Sequence, residues 1–179
     1  MVVETVVVAL WAMGPAYIPN NAAVLAGGGA PIDGGRTMGD RRLLGDGKTW
    51  RGTGVGIVAG VAVAYLLNLV APTVEAVGYG VPTFTPVVAF ALAAGAMLGD
   101  ILASFVKRRT GRERGTAFPL LDQLDFVVVS LGLVALLAPG WFTSVFTLPR
   151  LLVVLVATPL LHLLTNAGAY ALGLKAEPW

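Results

Sequence analysis

The 179-residue chain is 56% hydrophobic and only 12% charged, with a mean hydropathy of +0.81. Soluble globular domains carry about 25% charged residues, so this composition excludes a water-soluble enzyme. The lack of cysteine excludes disulfides, thiolate catalysis and cysteine-ligated metals, and a single histidine is too few for a histidine metal cage. Any metal ion must therefore be held by oxygen ligands.

Five uncharged stretches are long enough to cross a bilayer as helices, which takes about 20 apolar residues. They predict an all-α integral membrane protein in which residues 1–179 form one domain, with two charged cytoplasmic loops. The predicted spans are 2–25, 53–71, 86–104, 124–138 and 151–172. The first stretch lacks the basic start of a secretory signal, so we expect it to be retained.

Proline and small residues predict how these helices pack. Pro15 and Pro19 interrupt the first helix just before two asparagines, and broken helices at membrane depth are tolerated mainly where they line a polar cavity. We therefore expect a cleft beside the first helix. Small residues recur every four positions in the second and third helices, which lets helix backbones approach closely. These residues are Gly52, Gly56, Gly60, Ala91, Gly95 and Gly99.

The basic residues predict the orientation of the chain. Five crossings place the connecting segments alternately on two sides, and the twelve lysines and arginines then divide eleven to one. The positive-inside rule assigns the richer side to the cytoplasm, which predicts a multi-pass protein of the cell membrane with a cytoplasmic active site. The richer side carries Arg36, Arg41, Arg42, Lys48, Arg51, Lys107, Arg108, Arg109, Arg112, Arg114 and Lys175, and the other side carries Arg150.

The first charged loop has the composition of a phosphate site. Glycines in residues 31–36 and 44–52 let the backbone approach an anion, while Lys48 and Arg51 supply charged donors and Thr49 a hydroxyl. A basic topology loop with turn glycines is the alternative. A P-loop is excluded, because Arg42 stands where that motif needs glycine.

Three aspartates lie close to the same membrane boundary. Asp100, Ser104 and Lys107 share one face of the third helix, and Asp122 and Asp125 stand three residues apart at the start of the fourth. An acid inside an apolar span indicates a functional site, although Asp100 paired with Lys107 is an alternative. Helix-dipole capping is a second alternative for the later two acids. Magnesium suits these carboxylates, since it prefers a few carboxylate oxygens together with substrate phosphates.

These segments resemble a known signature. Residues 99–108 and 122–125 are similar to the S-x-x-K-R and D-x-x-D pattern of the CDP-diglyceride synthetase group, and residues 31–34, 45–52, 114–115 and 120–125 resemble its archaeal branch, the CDP-archaeol synthase family. The chain lacks the H-G-G-x-x-D-R-x-D ending of the bacterial and eukaryotic enzymes, which favours the archaeal branch. The resemblance implies that the cytidylyl group of CTP is transferred to 2,3-bis-O-geranylgeranyl-glycerol 1-phosphate, an unsaturated archaetidic acid, with release of pyrophosphate.

The resemblance also implies a site. It assigns Mg²⁺ to Asp100, Asp122 and Asp125, with Lys107 as a further catalytic residue. The expected partners are CTP, a prenyl-ether glycerol phosphate lipid and the bilayer, and no nucleic acid is expected. The predicted substrate-binding residues are Asp33, Lys48, Thr49, Arg51, Ser104, Arg108, Arg109, Arg112 and Arg114.

Two other functions compete with this one. A transporter or channel is expected to show inverted repeats and charges at mid-depth, whereas here the two halves show no symmetry and the charges gather on one side. A scaffold that binds anionic lipids leaves the three aspartates unexplained. The polar residues His162, Thr165 and Asn166 on the fifth helix are interpreted as a helix-packing cluster.

Overall fold

A computed structural model describes residues 2–112, 118, 120–171 and 173. Over these residues the chain forms seven helices and one small hairpin. The elements in order are α1 Val2–Tyr17, α2 Pro19–Ala26, β1 Thr37–Met38, β2 Arg41–Arg42, α3 Trp50–Ala76, α4 Pro86–Arg109, α5 Leu121–Leu137, α6 Pro139–Val145 and α7 Leu148–Ala171.

Four helical stretches of the described chain are long and apolar enough to cross a membrane. They are Val2–Ala26, Trp50–Ala76, Pro86–Arg109 and Leu148–Gly168. The predicted all-α membrane fold is thereby confirmed, with a two-stranded hairpin in the first loop as an unpredicted addition. The fifth predicted span corresponds to α5, which has only 17 residues and carries Asp122 and Asp125 in its first turns. Five spans therefore stay a prediction.

The first span is broken where its prolines predict. α1 ends at Tyr17 and α2 begins at Pro19, with Ile18 between the two helices. α3 packs directly against this break, since a Cβ atom on Gly60 would lie 2.5 Å from the carbonyl oxygen of Pro15. Only a residue without a side chain fits at that distance, so the glycine brings α3 close to the polar end of the first span.

The helix pair α4 and α5 holds the centre of the fold. The apolar core lies around α4, between residues of α1, α5 and α7. A Cβ atom on Gly95 would lie 2.4 Å from Ser130 Cα, and one on Gly99 would lie 2.5 Å from the carbonyl oxygen of Asp125. The predicted close packing of small residues is confirmed. This contact places the acidic start of α5 beside Asp100.

Candidate active site

A cavity of about 800 Å³ lies between the broken first span, the last turns of α4, the start of α5 and α7. The predicted cleft beside the first helix is therefore present. Six predicted site residues line it, namely Lys48, Asp100, Ser104, Lys107, Asp122 and Asp125. They come from the first loop, from α4 and from α5, so the fold brings together groups that are up to 77 positions apart in the sequence (Lys48 to Asp125).

Two ion pairs join these residues across the cavity wall. Lys48 Nζ pairs with Asp100, and Lys107 Nζ pairs with Asp122. The alternative pairing of Asp100 with Lys107 is therefore wrong, because the loop lysine reaches Asp100 first. All four side chains keep between 22% and 27% of their surface exposed. Partly solvated pairs of this kind contribute little net stability, so their partners can exchange when a ligand arrives.

The magnesium site predicted at the three aspartates stays a prediction. The described residues contain no group of three or more His, Cys, Asp or Glu side chains that could hold a metal ion. Asp100 and Asp122 are each paired with a lysine ammonium group in this structure. The donor set still suits magnesium that arrives with a phosphate ligand, because all its donors are oxygens and Mg²⁺ needs only one or two protein carboxylates beside phosphates.

Asp122 and Asp125 are fixed by the start of α5. Asp122 Oδ2 accepts a hydrogen bond from the Phe118 backbone at 2.9 Å, while its buried Oδ1 contacts Lys107. Asp125 Oδ1 accepts a hydrogen bond from the Phe126 backbone at 2.6 Å. Both carboxylates border the cavity, as their spacing predicts. In each of them only one of the two oxygens accepts the backbone hydrogen bond.

Asp33 organises the first loop from within. Its side chain is 1% exposed and accepts five hydrogen bonds, two from the Arg42 guanidinium and one each from the backbone of Gly35, Leu44 and Gly45. It is not among the cavity-lining residues, in contrast to its predicted substrate role. The Arg42 guanidinium, helped by the backbone donors, holds the pKa of the Asp33 carboxyl well below its usual range.

We expect Asp33→Asn to lower the unfolding temperature in detergent by about 5 °C or more. The asparagine NH₂ group would face N–H donors that now donate to the carboxylate, so some of these hydrogen bonds would be lost. A lowered pKa stabilises the fold fully above the ordinary aspartate value, near 4, and this stabilisation is lost as pH falls through the lowered pKa. The difference between wild type and variant should therefore be constant from pH 5 to 8 and shrink below about pH 4.

Asp46→Asn is the matched control for this prediction. Asp46 bonds the same Arg42 at 2.7 Å, but its side chain is 69% exposed. Thermal unfolding followed across pH should show little effect of this control. Equal shifts in the two variants would contradict a buried organising role for Asp33.

Thr49 and Arg51 lie where α3 begins. Thr49 Oγ1 accepts a hydrogen bond from Gly52 N at 3.1 Å and so caps the helix. The Ile32 backbone donates to the Lys48 carbonyl at 2.8 Å, which fixes the position of the lysine. Arg51 is exposed on the first turn of α3, outside the lining of the large cavity. Within this predicted phosphate loop, the structure brings Lys48 but not Arg51 to the acids.

The arginines that follow α4 are engaged in the loops. Arg109 donates to the backbone carbonyls of Met38 at 2.7 Å and Arg42 at 2.9 Å, which docks the hairpin onto the end of α4. Arg108 Nη1 donates to the Arg112 carbonyl at 2.9 Å. These predicted substrate-binding residues are thus placed at the join of the two loops.

Two further arginines were predicted to bind substrate. The Arg112 guanidinium lies 4.1 Å from the centre of the Phe118 ring, which itself borders the cavity. Arg114 lies outside the described residues. Arg112 therefore lies at the rim of the cavity.

The cavity also contains polar residues that the sequence analysis did not assign to the site. Asn20, at the start of α2, has a buried side-chain oxygen with no hydrogen-bond partner among the described residues. The proline just before Asn20 is the sequence feature that could have indicated its place in the site. On α7, His162 and Asn166 border the same cavity. Their four-residue spacing shows a shared helix face, but it does not show which way that face points.

Comparison with known proteins places this arrangement in a class. A solved structure described as an intramembrane enzyme for archaeal membrane lipid biosynthesis matches with a TM-score of 0.68 and 40% sequence identity, over 88% of this chain and 92% of that one. The fold is thus that of an intramembrane enzyme of lipid synthesis.

The family follows from sequence. The profile of the family described as CarS-like, CDP-archaeol synthase, matches residues 2–179. A curated CDP-archaeol synthase from Halobacterium salinarum is 66% identical over 99% of this chain and 98% of that protein, and one from Natronomonas pharaonis is 61% identical over the full length of both. The chain belongs to the CDP-archaeol synthase family. This confirms the predicted family and activity class, and it is evidence against a transporter, channel or scaffold.

Proposed function

We propose that the chain, as one integral-membrane domain over residues 1–179, transfers the cytidylyl group of CTP to 2,3-bis-O-geranylgeranyl-glycerol 1-phosphate and releases pyrophosphate. The observation that carries this proposal is the cavity, in which two lysines and three aspartates meet at the polar break of the first span. The reaction class is that of the family to which the chain belongs.

The acceptor needs no general base. A phosphomonoester has a second pKa near 6, so at neutral pH it is largely a dianion whose oxygen can attack the α-phosphorus of CTP directly. The new oxygen–phosphorus bond replaces the bond to the bridging oxygen, which leaves with pyrophosphate. The lipid phosphate is itself the nucleophile, so the lack of cysteine in the chain is no obstacle to this reaction.

The main barrier is the repulsion between two anionic substrates. Catalysis of phosphoryl-type transfer rests largely on positioning and on cationic groups. Lys48 and Lys107 border the cavity and are held on Asp100 and Asp122 by partly exposed ion pairs. In the proposed reaction each ammonium turns from its aspartate to a phosphate of CTP. The carboxylates are thereby released.

We propose that the released carboxylates of Asp100 and Asp122, together with Asp125, hold Mg²⁺ that accompanies CTP. When bound, the ion neutralises phosphate charge as the new bond forms. The oxygen donors of the three aspartates, which all border the cavity, and the buried Oδ1 of Asp122 support this assignment. The protein itself fixes the spacing of the three acids, through the glycine contact between α4 and α5.

The proposed function is tested with the purified chain in nanodiscs. Given CTP, Mg²⁺ and the geranylgeranyl ether phosphate, it should form CDP-lipid and pyrophosphate in equal amounts, and a chelator should stop both. Product from other nucleotides at equal rates, or pyrophosphate without CDP-lipid, would contradict the proposal.

The two cavity lysines should govern nucleotide binding. We expect Lys48→Gln and Lys107→Gln each to raise the KM for CTP about tenfold or more, since each loses a charge-assisted phosphate contact. Steady-state kinetics at saturating lipid measure this. Arg36→Gln is the control, because Arg36 is an exposed basic residue of the same loop outside the cavity. Unchanged CTP kinetics in both lysine variants would remove them from the phosphate site.

We propose that the site faces the cytoplasm and that the protein resides in the cell membrane, on the eleven to one division of basic residues. Single cysteines at Thr37 and Thr110 should then be labelled by a membrane-impermeant maleimide only from the cytosolic side, and one at Thr83 only from outside. All three threonines are exposed, and the native chain has no cysteine to interfere. The reverse pattern would invert the orientation.

A further inference from the structure

The cavity-facing side of α7 has no role in the nucleotide chemistry above. His162 and Asn166 both line the cavity, with Asn166 Nδ2 3.2 Å from His162 Nδ1. Thr158 lies one turn earlier and also borders the cavity, where its hydroxyl is 3.0 Å from that of Tyr17. Residues four positions apart share a helix face, so α7 presents a continuous polar stripe to the cavity.

This stripe differs in charge from the rest of the site. Among the Lys, Arg, Asp and Glu residues, α7 contains Arg150 alone, which stands near its first turn and donates to the Val145 carbonyl at 2.8 Å. The lysines that suit a triphosphate come instead from the first loop and from α4. The α7 stripe therefore suits a ligand portion that accepts hydrogen bonds and carries less charge.

Of the four long apolar helical stretches in the described part of the chain, the one in α7 is the least buried within the protein. Only 11% of its most apolar 18-residue stretch is buried within the protein, compared with 61% for α4. Leu160 and Leu164, on either side of His162, are 55% and 69% exposed. A lipid can thus keep its chains in the bilayer against α7 while its head group enters the cavity beside the polar stripe.

We propose that the stripe centred on His162 and Asn166 is the acceptor subsite, which binds the glycerol ether oxygens of a membrane-embedded lipid phosphate. Ether oxygens only accept hydrogen bonds, and imidazole and amide groups supply donors. This inference rests on the proposed function and reassigns to substrate binding a cluster that the sequence analysis interpreted as helix packing.

The kinetic test separates the two substrates. His162→Ala and Asn166→Ala should each raise the KM for the lipid phosphate about tenfold, with less than a twofold change in the KM for CTP. His162→Gln and Asn166→Gln keep a donor and should recover most of the loss. Leu152→Ala is the control, because it is an exposed position of α7 outside the cavity lining. Equal rises in both KM values, or an unchanged lipid KM, would overturn the proposal.

A second measurement does not depend on turnover. A geranylgeranyl ether phosphate with a diazirine in its first isoprene unit should label residues 158–168 without CTP, and the alanine variants should reduce this labelling. Excess soluble glycerol 1-phosphate should not prevent it, since the bilayer holds the lipid at the site. Labelling confined to other helices, or full protection by the soluble phosphate, would overturn the proposal. If the wild type makes no product, the proposed function fails, and the labelling alone then decides the lipid subsite.

Discussion

Replacing Asp122 by asparagine is expected to lower kcat/KM for CTP-dependent lipid cytidylylation by about 100-fold, with partial recovery at raised Mg²⁺. Asparagine keeps the volume of the side chain and one acceptor oxygen but removes the charge that a metal–triphosphate complex requires. The same loss is expected for Asp100→Asn and Asp125→Asn. Radiolabelled CTP incorporation, titrated with magnesium, measures each variant.

The ion pairs of the structure allow a sharper form of this experiment. Asp122→Asn leaves the Lys107 ammonium without its partner, so lost activity by itself does not separate catalysis from stability. The double variant Asp122→Asn with Lys107→Met restores charge balance. If Asp122 only pairs with lysine, the double variant should match the single variant Lys107→Met in both stability and activity. If Asp122 acts on the metal–nucleotide complex, stability should return while activity falls well below that of Lys107→Met.

Asp40→Asn is the matched control for these acids, because Asp40 is an exposed aspartate of the first charged loop that does not line the cavity. Its kinetics and magnesium requirement should equal those of the wild type. Wild-type activity in all three site variants, with an unaltered magnesium requirement, would show that the proposed catalytic centre is wrong even though the family is right.

Local patterns were sufficient to predict much of the site. The break between α1 and α2 follows from Pro19, which has no N–H to continue the hydrogen bonds of the preceding helix and stands at the start of α2, whereas Pro15 is accommodated within α1. The acids also follow from position, since a carboxylate at the edge of an apolar span has few places to go except a polar cavity. The sequence therefore predicted the cavity and its acidic groups.

The sequence did not predict which charged residues contact each other across the fold. The contact of Lys48 with Asp100 depends on how the loop folds around Asp33, and the Asp-Gly-Gly segment that begins this core is typical of an exposed turn. Arg109 has the composition of a phosphate ligand, yet it docks the hairpin onto α4. Helical periodicity likewise shows that His162 and Asn166 share a helix face, but tertiary packing decides whether that face lies toward the cavity.

Gly99→Ala is expected to damage the site without altering any of its functional groups. A Cβ atom at this position would lie 2.5 Å from the Asp125 carbonyl oxygen and 2.6 Å from Phe126 Cα, both in the backbone of α5. Since neither atom can rotate away, α4 and α5 must separate, at a cost of about 1–3 kcal/mol. Asp100 and Asp125 then move apart, and a displacement of about 1 Å can reduce activity about 100-fold.

Gly132→Ala provides the contrast that isolates this effect. Gly132 lies in α5 as well, but a Cβ atom there has nothing within 4 Å, so alanine should only add its helix propensity, worth about 1 kcal/mol. We therefore expect Gly132→Ala to be fully active and as stable as the wild type, or slightly more stable, in thermal unfolding. Gly99→Ala should be less stable and about 100-fold slower. If Gly99→Ala retained wild-type kcat/KM, the spacing of the aspartates would not depend on this helix contact. The acids would then have to be positioned by their own side-chain partners.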